Sequence, residues 1–159
     1  MRDALRRLEA GDSILYDPHP ALMMMPLSVG DTDQLSIEIG PGDVHRFAEL
    51  SGDTAALHTD AEFARGHGFE GCLVHGAWLI ALVSRFVGTT MPGPNAVLER
   101  VDVAFRRPCY APCAIVIEGR VRQISVAVST VVLDIVIRSA GETVATARTW
   151  HKLLEARST

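Results

Sequence analysis

From Ala77 to Gly88 the chain reads Ala-Trp-Leu-Ile-Ala-Leu-Val-Ser-Arg-Phe-Val-Gly, a helical length that is apolar on nearly every face. A helix without a polar face is normally surrounded by protein, so the rest of the chain has to supply a wrapping. Four stretches after it alternate at the period of a β-strand. Val97 to Phe105 places Val97, Val101, Val103 and Phe105 on one side, with Glu99 the exception. Residues 114–123 set Ile115, Ile117 and Val121 against Glu118, Arg120 and Arg122, and residues 130–138 set Val131, Leu133, Ile135 and Ile137 against Thr130, Asp134 and Arg138. Ser139-Ala140-Gly141-Glu142 reads as a turn and Val144 to Leu153 as the last strand. Upstream, Gln34 to Ile39 alternates Leu35, Ile37 and Ile39 with polar residues and is ended by Gly40-Pro41-Gly42. The expectation is an α+β fold, a curved antiparallel sheet wrapped around one long buried helix.

The 159 residues suit one domain, here 31–159, preceded by an extension over 1–30. That extension reads as a short amphipathic helix on Leu5 and Leu8, then Asp17-Pro18-His19-Pro20, then Met23-Met24-Met25-Pro26 as a flexible apolar cover. Fifteen basic and 19 acidic residues give a net charge of −4, and no basic stripe studded with aromatics argues for nucleic acid. Lys152 is the sole lysine, and neither a Schiff-base nor a phosphate-loop context surrounds it. Cys72, Cys109 and Cys113 are too few for a disulfide framework. The first ten residues lack the apolar segment of a signal peptide, and the longest apolar run falls far short of the ~20 residues that cross a bilayer. A cytoplasmic protein is expected.

Charge is uneven along the chain: residues 31–70 carry nine acids and two bases, residues 84–122 six arginines and three acids. These are two solvated faces, or the arginine-rich half meets an anionic group such as a carrier's phosphates. Reactive side chains are densest in the acidic half. Asp43 is a plausible N-cap for a helix over Val44 to Leu50, with Ser51-Gly52 as its exit. A second short helix starts at the capping pattern Thr59-Asp60-Ala61-Glu62 and stops near Gly66. Asp53 and His58 lie five apart in the segment between these helices, where a loop can turn both into one pocket. A carboxylate and an imidazole sharing a water can activate it and hand a proton back. His75-Gly76 opens the apolar helix, whose unpaired N–H groups and dipole suit an oxygen gaining charge, and glycine lets a ligand come close.

At Phe47, Ser51-Gly52-Asp53, Leu57-His58, the Ala64 region, Val74-His75-Gly76 and Phe105-Arg106-Arg107-Pro108, the sequence resembles the MaoC-like, (R)-specific enoyl-CoA hydratase branch of the hotdog-fold superfamily. The family pattern is Ser-Gly-Asp, any residue, Asn-Pro, an aliphatic residue, His. The resemblance implies a hotdog fold, with Asp53 and His58 as the catalytic pair, the Gly76 N–H as oxyanion donor, and Ser84 as a helix serine near the site. It also implies no metal or redox cofactor, an acyl-CoA or acyl-carrier-protein thioester as substrate, and a homodimer joined edge to edge. Where the family has Asn-Pro, this chain has Ala55-Ala56.

The expected function is addition or removal of water across C2–C3 of an enoyl or (R)-3-hydroxyacyl thioester. A non-catalytic thioester-binding subunit and a hotdog thioesterase are the alternatives, since fold alone does not separate them. His75, Arg106 and Arg107 join Gly76 and Ser84 as candidate oxyanion or substrate contacts, the two arginines serving the carrier's phosphates or forming a solvated strand end. Cys72, His75, Cys109 and Cys113 carry four potential zinc ligands, but the spacing is not that of a zinc ribbon, and ordinary buried cysteines account for them. Trp78 lines an acyl tunnel or simply packs in the core.

Overall fold

The computed structural model describes residues 27–154; the helix on Leu5 and Leu8 and the proline and methionine runs lie outside them. Five strands form one antiparallel sheet: β1 (Thr32–Ile39), β2 (Ala96–Phe105), β3 (Cys113–Ser125), β4 (Thr130–Ser139) and β5 (Glu142–Leu153), in the order β1-β3-β4-β5-β2. Four helices lie between β1 and β2: α1 (Pro41–Ser51), α2 (Ala56–Thr59), α3 (Ala61–Gly66) and α4 (Gly76–Thr89). None is long and apolar enough to cross a membrane. The α+β architecture expected from the alternation is therefore present, with α4 against one face of the sheet.

The inward rows of β3 and β4 are those the two-residue period picks out. Ile115, Ile117, Val121, Val131, Leu133, Ile135 and Ile137 are all essentially inaccessible, and Leu79, Leu82, Val83, Phe86 and Val87 of α4 pack into the same core. Gly119 holds the inward position between Ile117 and Val121, and a Cβ there would lie 2.4 Å from Phe86 Cε1. The missing side chain lets the helix ring seat against the sheet. Ala140 and Gly141 both take positive φ, 50° and 82°, in the two-residue turn whose twist matches a hairpin.

Several boundaries differ from expectation. The first helix begins at Pro41, pre-set for a first helical position, so Asp43 is its third residue rather than its N-cap; its carboxylate accepts the Gly40 N–H at 2.7 Å. That bond, then the Arg46 guanidinium, hold the Asp43 carboxyl below its ordinary range. Asp60, not Thr59, caps α3, its carboxylate accepting from Glu62 and Phe63 N–H. The last strand starts two residues early, at Glu142. In β2 a bulge between Leu98 and Arg100 reverses the alternation. Leu98 therefore faces the core while Val97, expected inside, is 48% exposed; beyond the bulge Val101 and Val103 pack on the core as expected, and Phe105, at the strand end over Gly76, is 53% exposed. The apolar helix is not surrounded within the protomer: Ala77, Ala81, Ser84 and Arg85 are exposed on the side away from the sheet.

Candidate active site

The helix α1 leaves through Gly52 in the left-handed conformation (φ 75°), whose N–H returns to Ala48 O. This sharp exit delivers Asp53 to the surface, its side chain half exposed. Its Oδ1 accepts the Ala55 N–H at 3.3 Å. The expected irregular loop contains α2, a single turn that carries His58, so the imidazole is fixed by helical backbone. Ala55 occupies the N-cap of that turn and makes no side-chain cap bond.

His58 is held from both sides. Its Nδ1 lies 2.8 Å from Leu73 O. A carbonyl only accepts, so Nδ1 carries the hydrogen and the neutral ring keeps its lone pair on Nε2. That nitrogen stands 4.0 Å from Asp53 Oδ2. Two acceptors at this spacing can both be reached at about 2.8 Å by the hydrogens of one water. Leu73 N–H in turn donates to Leu57 O, and Val74 N–H to Cys109 O, tying the strand-like 73–74 segment to α2 and to the β2–β3 connection.

His75, expected as a substrate contact, is 1% exposed and sits behind the pair. Its Nε2–H donates to the Asp53 carbonyl at 3.0 Å, and its ring stacks on His58 with centroids 3.8 Å apart and planes 22° apart. Phe47 follows at 5.0 Å and stacks on Trp78, planes 10° apart. Trp78 thus belongs to an aromatic column that ends at the imidazole of His58, a role its sequence context did not reveal. Asp53, His58 and His75 also form a group of metal-capable side chains, their ligand atoms within 4.8 Å of one another. Two nearly parallel rings, however, direct their lone pairs side by side rather than toward one point about 2.1 Å from both. The arrangement fits a proton-bearing water better than a metal ion.

Gly76 starts α4, where the first N–H groups have no helical acceptor. The close approach that its missing side chain permits is taken up by Phe105: a Cβ at 76 would stand 2.8 Å from Phe105 Cζ. This contact brings the end of β2, and so Arg106 and Arg107, to the same end of the molecule. Arg106 Nε reaches Thr146 Oγ1 at 3.3 Å, whereas Arg107 is already paired with Glu142 at 2.8 Å. Arg100 with Asp102 and Arg122 with Asp134 are likewise paired, so three of the six arginines of the 84–122 half belong to a solvated, ion-paired face. Ser84 is exposed on α4, about 12 Å along the axis from Gly76 at about 1.5 Å per residue. Cys109 and Cys113 lie Sγ to Sγ at 3.4 Å, and burial, then the contact with Cys113, pushes the Cys109 thiol up to about 12. A thiol so protonated is a poor metal ligand, and His75 is engaged elsewhere, so the four zinc candidates do not assemble.

A family model described as "MaoC like domain" matches residues 28–138. The chain is 39% identical over 82 residues to a 3-hydroxybutyryl-CoA dehydratase of Methylorubrum extorquens, covering 52% of each protein. It is 37% identical over 84 residues to a mitochondrial 3-hydroxyacyl-[acyl-carrier-protein] dehydratase of Arabidopsis thaliana, covering 53% of this chain and 49% of that one. The matches thus span about half the length of these curated relatives. Among solved structures, the (R)-hydratase of A. caviae involved in PHA biosynthesis superposes with a TM-score of 0.77 at 29% identity, over 82% of this chain and 99% of that one.

Proposed function

The chain belongs to the MaoC-like domain family, and from that premise we propose that it is an acyl-thioester hydro-lyase, adding or removing water across C2–C3 of an enoyl or (R)-3-hydroxyacyl thioester. The observation that carries the reading is the approach of His58 Nε2, whose Nδ1 is taken by Leu73 O, to the Asp53 carboxylate at 4.0 Å, a spacing one water can bridge. In the hydration direction the water oxygen bonds to C3 as the pair accepts its proton, and C2 takes a proton back from the pair. The electrons displaced from the double bond collect on the thioester oxygen until C2 is protonated. The Gly76 N–H, at the positive end of α4, serves as the donor to that oxygen. The η nitrogens of Arg106, which have no partner among the described residues, suit a carrier phosphate, and Ser84 a more distant part of the substrate. The relatives' names supply both candidate carriers, CoA and acyl carrier protein. The functional unit is residues 31–159, paired as a homodimer.

The test follows the ultraviolet absorbance of a conjugated enoyl-CoA across chain lengths. Asp53→Asn and His58→Ala should each lower turnover by about 10²–10⁴-fold. Full activity in Asp53→Asn, or no turnover by the wild type at any chain length, would overturn the proposal. A second reading, a thioester-binding subunit without turnover, is favoured by the uncapped Ala55-Ala56 start of α2. It requires tight acyl-CoA binding with no loss of the chromophore.

A further inference from the structure

We propose that His75 is the positioning residue of the acid–base pair, holding the Asp53 main chain and the His58 ring in register without touching substrate; this rests on the hydratase reading above. The side chain is 1% exposed and so is withheld from any substrate, yet it contacts both members of the pair. Its Nε2–H donates to the carbonyl of Asp53, 22 residues earlier, and its face lies on His58 at 3.8 Å. One buried ring thus connects two groups that otherwise meet only across a 4.0 Å gap.

The protonation pattern follows from the same contacts. Because the Asp53 carbonyl accepts from Nε2, the lone pair of a neutral His75 is on Nδ1, and Nδ1 is buried with no partner among the described residues. A second proton there would be an unpaired buried donor on a cation stacked against His58. His75 thus presents a fixed Nε2–H donor to Asp53 and a flat wall to His58.

Its place in the chain gives this wall leverage. Leu73, two residues before, supplies the carbonyl that sets the His58 tautomer; Gly76, one residue after, carries the N–H proposed for the thioester oxygen. His75 is itself the N-cap residue of α4. Residues 73–76 thus form one bracket in which a shift of the 75 ring moves carboxylate, imidazole and helix start relative to one another. Displacements of this kind act on the reacting geometry more than on substrate affinity.

Two variants separate the parts: His75→Phe keeps an aromatic face and removes the donor, and His75→Gln keeps a donor and removes the face. With a four-carbon trans-2-enoyl-CoA, His75→Phe should lower kcat by about tenfold or more with KM changed less than about threefold, and His75→Gln should recover most of that loss. In imidazole NMR, His75→Phe should move the His58 titration midpoint by at least about half a pH unit, and His75→Gln should restore it. The wild type should show His75 as the Nε2–H and His58 as the Nδ1–H tautomer. The proposal is overturned by a His75→Phe protein with unchanged kcat and His58 titration, by a His75→Gln protein as impaired as His75→Phe, or, if neither variant folds, by a wild-type His75 carrying its hydrogen on Nδ1. Absence of wild-type turnover would overturn the hydratase reading alone, since the His58 titration in the variants still decides the role of His75.

Discussion

At the scale of single residues, the histidines divide by what surrounds them. His58 keeps one edge near solvent. His151, on β5, is 1% exposed, shares a hydrogen bond with Thr149 Oγ1 at 2.7 Å, and is lowered by burial from 6.5 to about 4. Unfolded, its imidazole takes up a proton near 6.5, while the folded protein resists until about 4. The unfolded state therefore binds more protons between those values, and stability falls as pH drops through that window. The loss is bounded at about 3 kcal/mol, from about 1.36 kcal/mol per unit. Urea midpoints measured from pH 7 to pH 4 should fall, and His151→Leu should flatten the slope while costing stability at pH 7 through the abandoned Thr149 hydroxyl; an unchanged slope would refute the assignment. Asp53 and His58 were legible from their spacing because a helix exit and a helix start bracket them. The tautomer of His58 and the withdrawal of His75 were not, since both are fixed by carbonyls 15 and 22 residues away in the chain.

At the scale of elements, alternation named the inward residues of β3 and β4 and, in β2, Val101 and Val103; it missed at Val97 because a bulge is a property of two paired strands, not of one. Likewise, no periodicity reveals a one-turn helix, although α2 is what fixes the imidazole. Its start is weakly built. Ala55 is at the N-cap with φ −54° and ψ 137°, a conformation that also suits a residue preceding proline. Asparagine at 55 would accept an orphan N–H of the turn, and proline at 56 would occupy the first helical position at no hydrogen-bonding cost. The double substitution Ala55→Asn with Ala56→Pro should raise unfolding free energy by about 1 kcal/mol in denaturant titration. A loss of stability would show that the turn is not capped in this way.

At the scale of the whole molecule, both β1 and β2 are edges of the sheet formed by the described residues. β2 adds an exposed Val97, and the neighbouring outer side of α4 is small and apolar at Ala77 and Ala81. Sedimentation should find a species of twice the chain mass, and a single species at the monomer mass would rule out the proposed homodimer. The strand order has a consequence for synthesis on the ribosome. β2 follows α4 directly in the chain but, among the described strands, pairs only with β5, with the hairpin of β3 and β4 made in between. The nascent chain therefore holds β2 without its partner strand while residues 106–153 are made, although β1, β3 and β4 can already pair. At about 5–20 residues per second that interval is roughly 2–10 s. Chaperone dependence should accordingly track the translation of residues 106–153 rather than that of the helix itself.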